Sequence, residues 1–344
     1  MSKLKTVYAL LRVLLPEGGA RLLYGGRLDR VRDRQADPKA QAVRDLVALL
    51  RDPDVVPTVA ESRAQLAMFV EKFDRPGPTS VRRQEMTLPG ADGPRAARSY
   101  LPRGVAEGAA TLLYLHGGGW IQGSIDTHDA LCAKLADRAG IRVISYDYRL
   151  APEDRFPAAP DDVIAAYLGL LDGDGGPGID PARLAVGGDS AGANLAASLL
   201  HSLGEQGHPM PAAQLLIYPG IDGRLTSQSM DDLRDDPLLS AQRIDWYLGQ
   251  YLPDGQDRSA PRVSPLFSPH LAGQPQALVI AAGLDPLWDD GVNYAAALRG
   301  AGVPVEFLPF PGQVHGFVNL TKVIPQGDQA ITRAADWLTA VLRP

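Results

Sequence analysis

From residue 81 to the C-terminus, short β-rich runs alternate with helix-like stretches, and this alternation strongly constrains the fold. The predicted strands cover residues 81–88, 95–101, 111–115, 142–148, 183–186, 215–218, 277–281 and 303–310. The predicted helices cover residues 126–139, 161–171, 190–203, 290–299 and 331–342. Strands separated by helices predict an α/β fold with a mostly parallel central sheet and helices on both faces. Active sites of such sheets lie at the carboxyl ends of the strands, so residues that follow a strand are the first functional candidates.

The pattern of the first 75 residues predicts helices and no strands. We expect a catalytic domain over residues 76–344. An apolar stripe with the spacing of an amphipathic helix lies near the N-terminus, formed by Val7, Leu10, Leu11, Leu14 and Leu15. We expect this face to dock on the rest of the protein, and peripheral membrane contact is the alternative.

Two further helices are predicted in the same segment. One begins at Asp37, ahead of Pro38, and the other at Thr58, which forms a capping box with Glu61. Residues 220–270 form a long, proline-dotted excursion between two strands, with a predicted helix at 241–251. We interpret the N-terminal helices and this excursion as a helical cap over a substrate pocket. Plain core packing of the helices is the alternative.

Composition excludes several classes of protein. A net charge of −6 leaves no electrostatic footprint for nucleic acid. No run approaches the roughly 18 apolar residues of a membrane span, which predicts no integral membrane contact. The single cysteine, Cys132, excludes an internal disulfide and a cysteine metal site, and it fits a reducing compartment. Because Arg12 interrupts the first apolar stretch and no A-x-A site follows, we expect a cytoplasmic protein.

Gly188-Asp189-Ser190-Ala191-Gly192 matches G-x-S-x-G directly after a predicted strand and ahead of a helix rich in alanine and leucine. A nucleophile elbow requires this strand–turn–helix context. The flanking glycines remove side chains that would collide in so tight a turn. We predict Ser190 as the nucleophile, and a serine N-cap on an ordinary helix is the alternative.

His116-Gly117-Gly118-Gly119-Trp120 follows the strand 111–115. Consecutive glycines suit a loop whose backbone N–H groups approach the oxyanion of an acyl-transfer intermediate. We assign this role to Gly118 and Gly119, with the Ala191 amide as third donor and Gly117 as the nearest competitor. His116 is expected to pin the loop through hydrogen bonds. A phosphate-binding loop is disfavoured because no Lys and Ser/Thr follow the glycines.

A serine nucleophile needs a base, and the chain has six histidines. His315 follows the strand 303–310 through Pro311-Gly312, in a loop at the edge of the sheet. His201 lies eleven residues after Ser190 within one predicted helix, roughly 16 Å along its axis, which is too far to reach back. His128, His208 and His270 lie in helical or loop contexts away from a strand end.

The base in turn needs a carboxylate. Asp285 follows the strand 277–281 through Gly283-Leu284, whereas the rivals Asp289 and Asp290 lie where acidic residues suit the start of the next helix. The chain order Ser190, Asp285, His315 is the order of α/β-hydrolases. We therefore predict these three residues as the catalytic triad.

These residues resemble the hormone-sensitive-lipase-like esterases, the bacterial family IV carboxylesterases, over about residues 80–344. The motifs that carry the resemblance are His116–Trp120, Tyr148-Arg149-Leu150-Ala151-Pro152-Glu153, Phe156-Pro157-Ala158-Ala159, Gly188–Gly192, Ser264-Pro265-Leu266, Asp285-Pro286-Leu287 and His315-Gly316-Phe317. The resemblance implies hydrolysis of short- to medium-chain acyl esters without a cofactor or metal, and a cap formed partly by the N-terminal segment. It supports Asp285 as the acid and implies loop-organising roles for Glu153 and Asp189.

Other functions remain open at this point. A non-catalytic ligand-binding protein could use the same scaffold. Among enzymes, a deacetylase, lactonase or amidase could use the same machinery. The last strand, as a possible sheet edge, also makes a homodimer a reasonable expectation.

Overall fold

An eight-stranded sheet forms the centre of the protein in the computed structural model, which describes residues 3–51, 55–106, 109–174, 179 and 181–342. Its strands are β3 (Arg82–Gly90), β4 (Gly93–Leu101), β5 (Thr111–Leu115), β6 (Arg142–Tyr146), β7 (Leu184–Asp189), β8 (Ala213–Ile217), β9 (Gln276–Leu284) and β10 (Val305–Val314). The spatial order is β10-β9-β8-β7-β5-β6-β4-β3. β4 pairs antiparallel with both β3 and β6, whereas the pairs β6–β5, β5–β7, β7–β8, β8–β9 and β9–β10 are parallel. The prediction of a mostly parallel α/β sheet is confirmed.

Helices cover both faces of this sheet. They are α5 (Asp129–Ala139), α6 (Ala158–Asp172), α7 (Ala191–Gln206), α10 (Trp288–Gly300) and α11 (Pro325–Leu342). Side chains of a strand point alternately to its two faces. In β5, Leu112 and Tyr114 pack on the face covered by α5 and α11, whereas Leu113 and Leu115 pack on the face covered by α6, α7 and α10. Burial on both faces explains why the central strands read as continuous apolar runs.

The N-terminal segment contains four helices, α1 (Lys3–Leu14), α2 (Glu17–Tyr24), α3 (Pro38–Leu50) and α4 (Val59–Phe73). The Asp37 carboxylate caps α3 by accepting from the amide of Lys39. Thr58 and Glu61 form the predicted capping box at the start of α4. The expectation of helices without strands is wrong in one detail. Two-residue strands, β1 (Arg30–Val31) and β2 (Arg34–Gln35), pair antiparallel between α2 and α3, where the short turn at Arg32 and Asp33 escapes periodicity analysis.

The predicted docking face of α1 is wrong. Most of the apolar stripe faces solvent: Leu14 is 75% exposed and Val7 is 52% exposed. The helix instead contacts α3 through the small buried side chains of Ala9 and Val13, and Arg12 pairs with Asp45 at 3.1 Å. Periodicity identified the helix correctly. It could not identify the docked face, because small residues and an ion pair make this contact instead of the large apolar residues.

The excursion between β8 and β9 contains α8 (Gln228–Asp232) and α9 (Ala241–Tyr251), as predicted for residues 241–251. It is joined to the N-terminal segment by polar contacts. Arg44 on α3 binds Asp236 at 2.8 Å, and Arg51 donates to the carbonyls of Pro237 and Leu238. The two segments, far apart in sequence, therefore meet above the same end of the sheet. No helix in the described ranges is both long and apolar enough to cross a bilayer.

A buried ion pair joins the end of α4 to α5. The Lys134 ammonium group lies 2.9 Å from the Asp74 carboxylate and 2.8 Å from the Thr321 hydroxyl. Both charged side chains are almost fully buried, at 6% and 4% exposure. Removing one partner of a buried ion pair leaves an uncompensated charge.

Replacement of Lys134 by Met should therefore lower the free energy of unfolding by about 3–5 kcal/mol, as measured by urea denaturation. The double variant Lys134→Met/Asp74→Leu should lose less than the single variant, because it buries no unpaired carboxylate. Additive losses from the two substitutions would contradict this account.

Candidate active site

Ser190 occupies the turn between β7 and α7 with a left-handed backbone, φ 54° and ψ −119°. A side chain rarely adopts this conformation, so the surrounding structure must hold it. A Cβ at Gly188 would lie 2.3 Å from the Leu115 carbonyl oxygen, and one at Gly192 would lie 2.0 Å from the same atom. Only glycine fits at either position. The Ser190 hydroxyl makes no capping bond to α7, which disfavours the N-cap interpretation.

Ser190, His315 and Asp285 form one hydrogen-bonded chain. The His315 Nε2 atom lies 2.9 Å from Ser190 Oγ, and its Nδ1 atom lies 2.7 Å from Asp285 Oδ2. Asp285 is fully buried, and its other oxygen accepts from the amide of Leu287 at 2.9 Å. Asp285 follows β9 and His315 follows β10, as Ser190 follows β7. Because these strands are parallel, all three side chains lie at the carboxyl ends of the strands.

The rival carboxylates Asp289 and Asp290 accept hydrogen bonds from backbone amides of the excursion between β8 and β9. Asp289 accepts from the amide of Ser229 at 2.7 Å. Asp290 accepts from the amides of Ile221 and Asp222 at 2.7 and 3.0 Å. Burial raises the pKa of Asp290 to about 7. The structure brings neither rival into contact with His315; its carboxylate partner is Asp285.

The glycine loop after β5 faces the Ser190 hydroxyl. Gly118 and Gly119 have left-handed φ values of 129° and 60°. A Cβ at Gly118 would lie 2.1 Å from the Gln122 carbonyl oxygen, and one at Gly119 would lie 2.6 Å from the Tyr247 ring. Within the described ranges, their amides have no acceptor, and neither does that of Ala191. The competing Gly117 amide already donates to Asp189 Oδ1 at 2.9 Å.

Buried polar contacts hold this loop against the elbow. Asp189 accepts from the Tyr114 hydroxyl at 2.8 Å as well as from Gly117. Burial would raise the pKa of Asp189, but its interaction with His128 and these hydrogen bonds lower the pKa to about 2. The His116 ring stacks on Tyr148 with centroids 4.4 Å apart. These positions fit loop organisation, and the roles themselves stay predictions.

The predicted motif residue Glu153 contacts helix α4. Its carboxylate binds Arg63 of α4 through two hydrogen bonds of 2.7 and 2.9 Å. The same guanidinium donates to the carbonyl of Ile121 at 2.7 Å. Glu153 therefore contacts the oxyanion loop region indirectly, through an arginine from the N-terminal segment.

A cavity of about 160 Å³, partly open to solvent, is lined by Ser190 and His315. Its apolar wall comes from Leu66, Phe69 and Val70 of α4 and from Ile244 and Leu248 of α9. Several polar lining residues escaped the sequence analysis, among them Arg51, Gln122, Arg243 and Tyr247. They belong to no motif, and a polar residue in a helix or loop carries no signal that it faces a cavity.

Comparison with known proteins agrees with this geometry. The family model described as the alpha/beta hydrolase fold matches residues 112–319, which is more than half of the chain. The chain belongs to the α/β-hydrolase family. The carboxylic ester hydrolase LipN of Mycobacterium tuberculosis is 39% identical over 324 residues, which cover 90% of this chain and 84% of LipN. Ethyl acetate hydrolase of Pseudomonas putida is 41% identical over 67% of this chain and 72% of that protein.

Solved structures place the chain within one branch of this family. An α/β hydrolase from the metagenome of Lake Arreo, solved as a serine-to-alanine mutant, superposes with a TM-score of 0.84 at 37% identity, over 89% of this chain and 98% of that one. An esterase of the bacterial hormone-sensitive lipase family superposes with a TM-score of 0.78 at 31% identity, over 89% and 99%. The resemblance drawn from the motifs is therefore confirmed: the chain is a hormone-sensitive-lipase-like carboxylic ester hydrolase.

The raised pKa of Asp290 predicts a pH dependence of stability. The folded protein retains a proton on Asp290 that the unfolded chain releases above the ordinary pKa of 3.8. The stabilisation is thus full below pH 3.8 and is lost as the pH rises towards about 7. The variant Asp290→Asn keeps a neutral acceptor for both amides and does not titrate. The free energy of unfolding of the variant minus that of the parent, measured by urea denaturation, should therefore be larger at pH 8 than at pH 5. An equal difference at both pH values would contradict the assignment.

Proposed function

We propose that this enzyme hydrolyses short- to medium-chain acyl esters through a covalent acyl-enzyme, with Ser190, His315 and Asp285 as its catalytic triad. The hydrogen-bonded chain of these three side chains supports the proposal most directly. It lies beside amides that have no acceptor within the described residues, those of Gly118 and Gly119. A nucleophile, a base and anion-binding groups around one cavity are the parts that acyl transfer needs.

In the first half-reaction, Ser190 Oγ bonds to the ester carbonyl carbon and its proton passes to His315 Nε2. The carbonyl oxygen becomes an oxyanion that accepts from the amides of Gly118, Gly119 and Ala191. Asp285 stabilises the imidazolium. The bond from the carbonyl carbon to the alcohol oxygen then breaks, and His315 Nε2 returns the proton to the departing alcohol.

In the second half-reaction, His315 removes a proton from water, and the water oxygen bonds to the acyl carbon. The same amides hold the second oxyanion. The bond to Ser190 Oγ breaks, and His315 returns the proton to the serine. Each oxyanion donor of this kind contributes roughly 2.7–4 kcal/mol of barrier reduction. No cofactor or metal enters either step.

We further propose that residues 1–75 and 220–270 form a cap over the catalytic domain of residues 76–344. The support comes from α4 and α9, which contribute Phe69 and Ile244 to the cavity wall. Phe69 is half-buried on α4, a helix with only Ser62 fully buried. Helices that served only core packing would bury such side chains fully.

A non-catalytic ligand-binding protein is the alternative of another class. Such a protein would not react with a fluorophosphonate, which labels an activated serine covalently. The activity named for the Pseudomonas putida relative, ethyl acetate hydrolase, favours a small ester over an amide or a lactone. Labelling of this chain by the probe, blocked by the replacement of Ser190, would exclude the ligand-binding alternative.

The variant Ser190→Ala should lower kcat for p-nitrophenyl butanoate on the order of 10⁶-fold, because no covalent intermediate forms. The circular dichroism spectrum and the urea denaturation midpoint should stay close to those of the parent protein, since alanine fills the same space. Full turnover by a correctly folded variant would contradict the assignment of Ser190.

The acyl preference is tested with a series of p-nitrophenyl esters. We expect kcat/KM to peak at butanoate to octanoate and to fall for palmitate, because the long acyl chain competes with the p-nitrophenyl group for space in the cavity. Phe69→Ala removes a ring from the apolar wall, which enlarges the cavity and should shift the peak to longer acyl chains. Met68→Ala, at a neighbouring position that is 47% exposed, is the matched control. The same shift in both variants would contradict a specific role for Phe69.

Cytoplasmic location and homodimerisation stay predictions. The edge position of β10 supports pairing with a second copy. Pro309 and Pro311 in that strand lack N–H donors, so any sheet continued across this edge would be short.

A further inference from the structure

Two arginines face the same cavity as the Ser190 hydroxyl. Arg51 lies directly after α3, and Arg243 lies in the first turn of α9. Both side chains are half-buried, and both line the cavity. The two proposed cap segments, residues 1–75 and 220–270, therefore each contribute one positive charge to the same cavity.

Neither guanidinium is neutralised by a carboxylate among the residues that the structure describes. The Nη1 atom of Arg51 donates to the carbonyls of Pro237 and Leu238, at 3.2 and 3.1 Å. The Arg243 guanidinium lies 5.3 Å from the ring centroid of Trp246. Burial lowers the pKa of Arg51, and the neighbouring charge of Arg243 contributes in the same direction. Among the described residues, the hydrogen bonds and the ring contact of the pair are thus made with uncharged groups, and the charge of Asp236 acts on Arg51 without a hydrogen bond between them.

The acidic groups nearby are already bound by other partners. Asp236 accepts from Arg44 at 2.8 Å and from the amide of Leu238 at 2.9 Å. On the cavity wall, Asp222 binds Arg224 at 2.7 Å. A half-buried charge is costly unless it is paired. The two arginines are the cavity-facing charges that lack such a partner within the described ranges.

The position of this pair relative to the reacting carbonyl follows from α9. Tyr247 lies one turn after Arg243, roughly 6 Å along the helix axis. Its ring packs against Gly119, and its hydroxyl accepts from Gln122 Nε2 at 3.1 Å. An ester whose carbonyl lies at Gly119 therefore reaches the arginine pair through a few methylene groups.

We propose that the preferred ester carries a carboxylate on the arm that faces α9, and that Arg51 and Arg243 bind this carboxylate. This inference rests on the proposed ester hydrolysis at Ser190. Guanidinium groups bind carboxylates in fixed geometry through charge-assisted hydrogen bonds. A neutral acyl chain of equal length leaves both charges without an anion, so the pair selects half-esters of dicarboxylic acids or esters of hydroxy acids.

The test compares substrates matched in length. One pair is p-nitrophenyl hexanoate and mono-p-nitrophenyl adipate, and a second pair is the octanoate and the suberate. A third pair places the carboxylate on the alcohol arm, with the butanoate esters of hexanol and of 6-hydroxyhexanoate. The readout is the ratio of kcat/KM for the anionic over the neutral member, because a general loss of activity cancels in this ratio.

We expect the parent enzyme to favour the anionic member of at least one pair roughly tenfold or more. Arg243→Met should abolish this preference, and Arg51→Met should reduce it. Arg243→Lys should retain part of it, because the charge stays and the paired donors of guanidinium are lost. The preference should also fall as the salt concentration rises.

Arg258→Met provides the matched control. Arg258 binds Asp245 of α9 at 2.8 Å and is not a cavity-lining residue. Its replacement should leave the ratio unchanged. A preference for the neutral member in all three pairs overturns the inference, as does a ratio that survives in both Arg51→Met and Arg243→Met. Either result leaves the hydrolysis of neutral esters, and with it the proposed function, intact. Failure to hydrolyse any of the six esters would overturn the proposed function itself.

Discussion

The close contact between the elbow and strand β5 is the constraint on which the site depends. Gly188 and Gly192 both lie against the carbonyl oxygen of Leu115, the residue that leads into the oxyanion loop. A Cβ at either glycine would separate β7 from β5. The backbone that carries the Ser190 hydroxyl and the backbone that carries the Gly118 and Gly119 amides are thus fixed relative to each other by steric fit. Acyl transfer needs this accuracy, because small displacements of preorganised donors weaken transition-state stabilisation.

Asp189 adds an electrostatic connection to this steric one. It lies directly before Ser190, yet its carboxylate accepts from Gly117 and Tyr114 on the other side of the contact. With a pKa of about 2, it stays ionised at any pH where the protein is expected to work. The bond also engages the Gly117 amide, whereas the amides of Gly118 and Gly119 have no acceptor within the described residues. This contact supports the prediction that Gly118 and Gly119, and not Gly117, bind the oxyanion.

The parts of the molecule that could be predicted from the sequence are those in which a physical requirement restricts the residue type at each position. The strands follow from runs such as Leu112 to Leu115, because burial on both faces demands apolar residues throughout. Ser190, Asp285 and His315 follow strand ends, and parallel strands bring such ends together. The docked face of α1 was not predictable, because Ala9 and Val13 make the contact while Leu14 stays exposed. Helical periodicity reports where apolar residues lie and contains no information about which neighbour is present.

The predicted catalytic groups could be found from the sequence, whereas the groups that line the rest of the cavity could not. Strained backbone and close glycine contacts hold the predicted catalytic groups, and such constraints produce recognisable sequence motifs. Arg51 follows α3, whereas Arg243 and Tyr247 lie on α9. The salt bridge between Arg44 on α3 and Asp236, in the segment before α9, joins these two parts of the chain. Among the described residues, Arg51 and Arg243 make no hydrogen bond to the elbow or to the glycine loop, so we expect substitutions there to leave the elbow intact, whereas Tyr247 packs against Gly119. Under the proposed function, the reacting groups and the groups that select the substrate therefore lie on different elements of this fold.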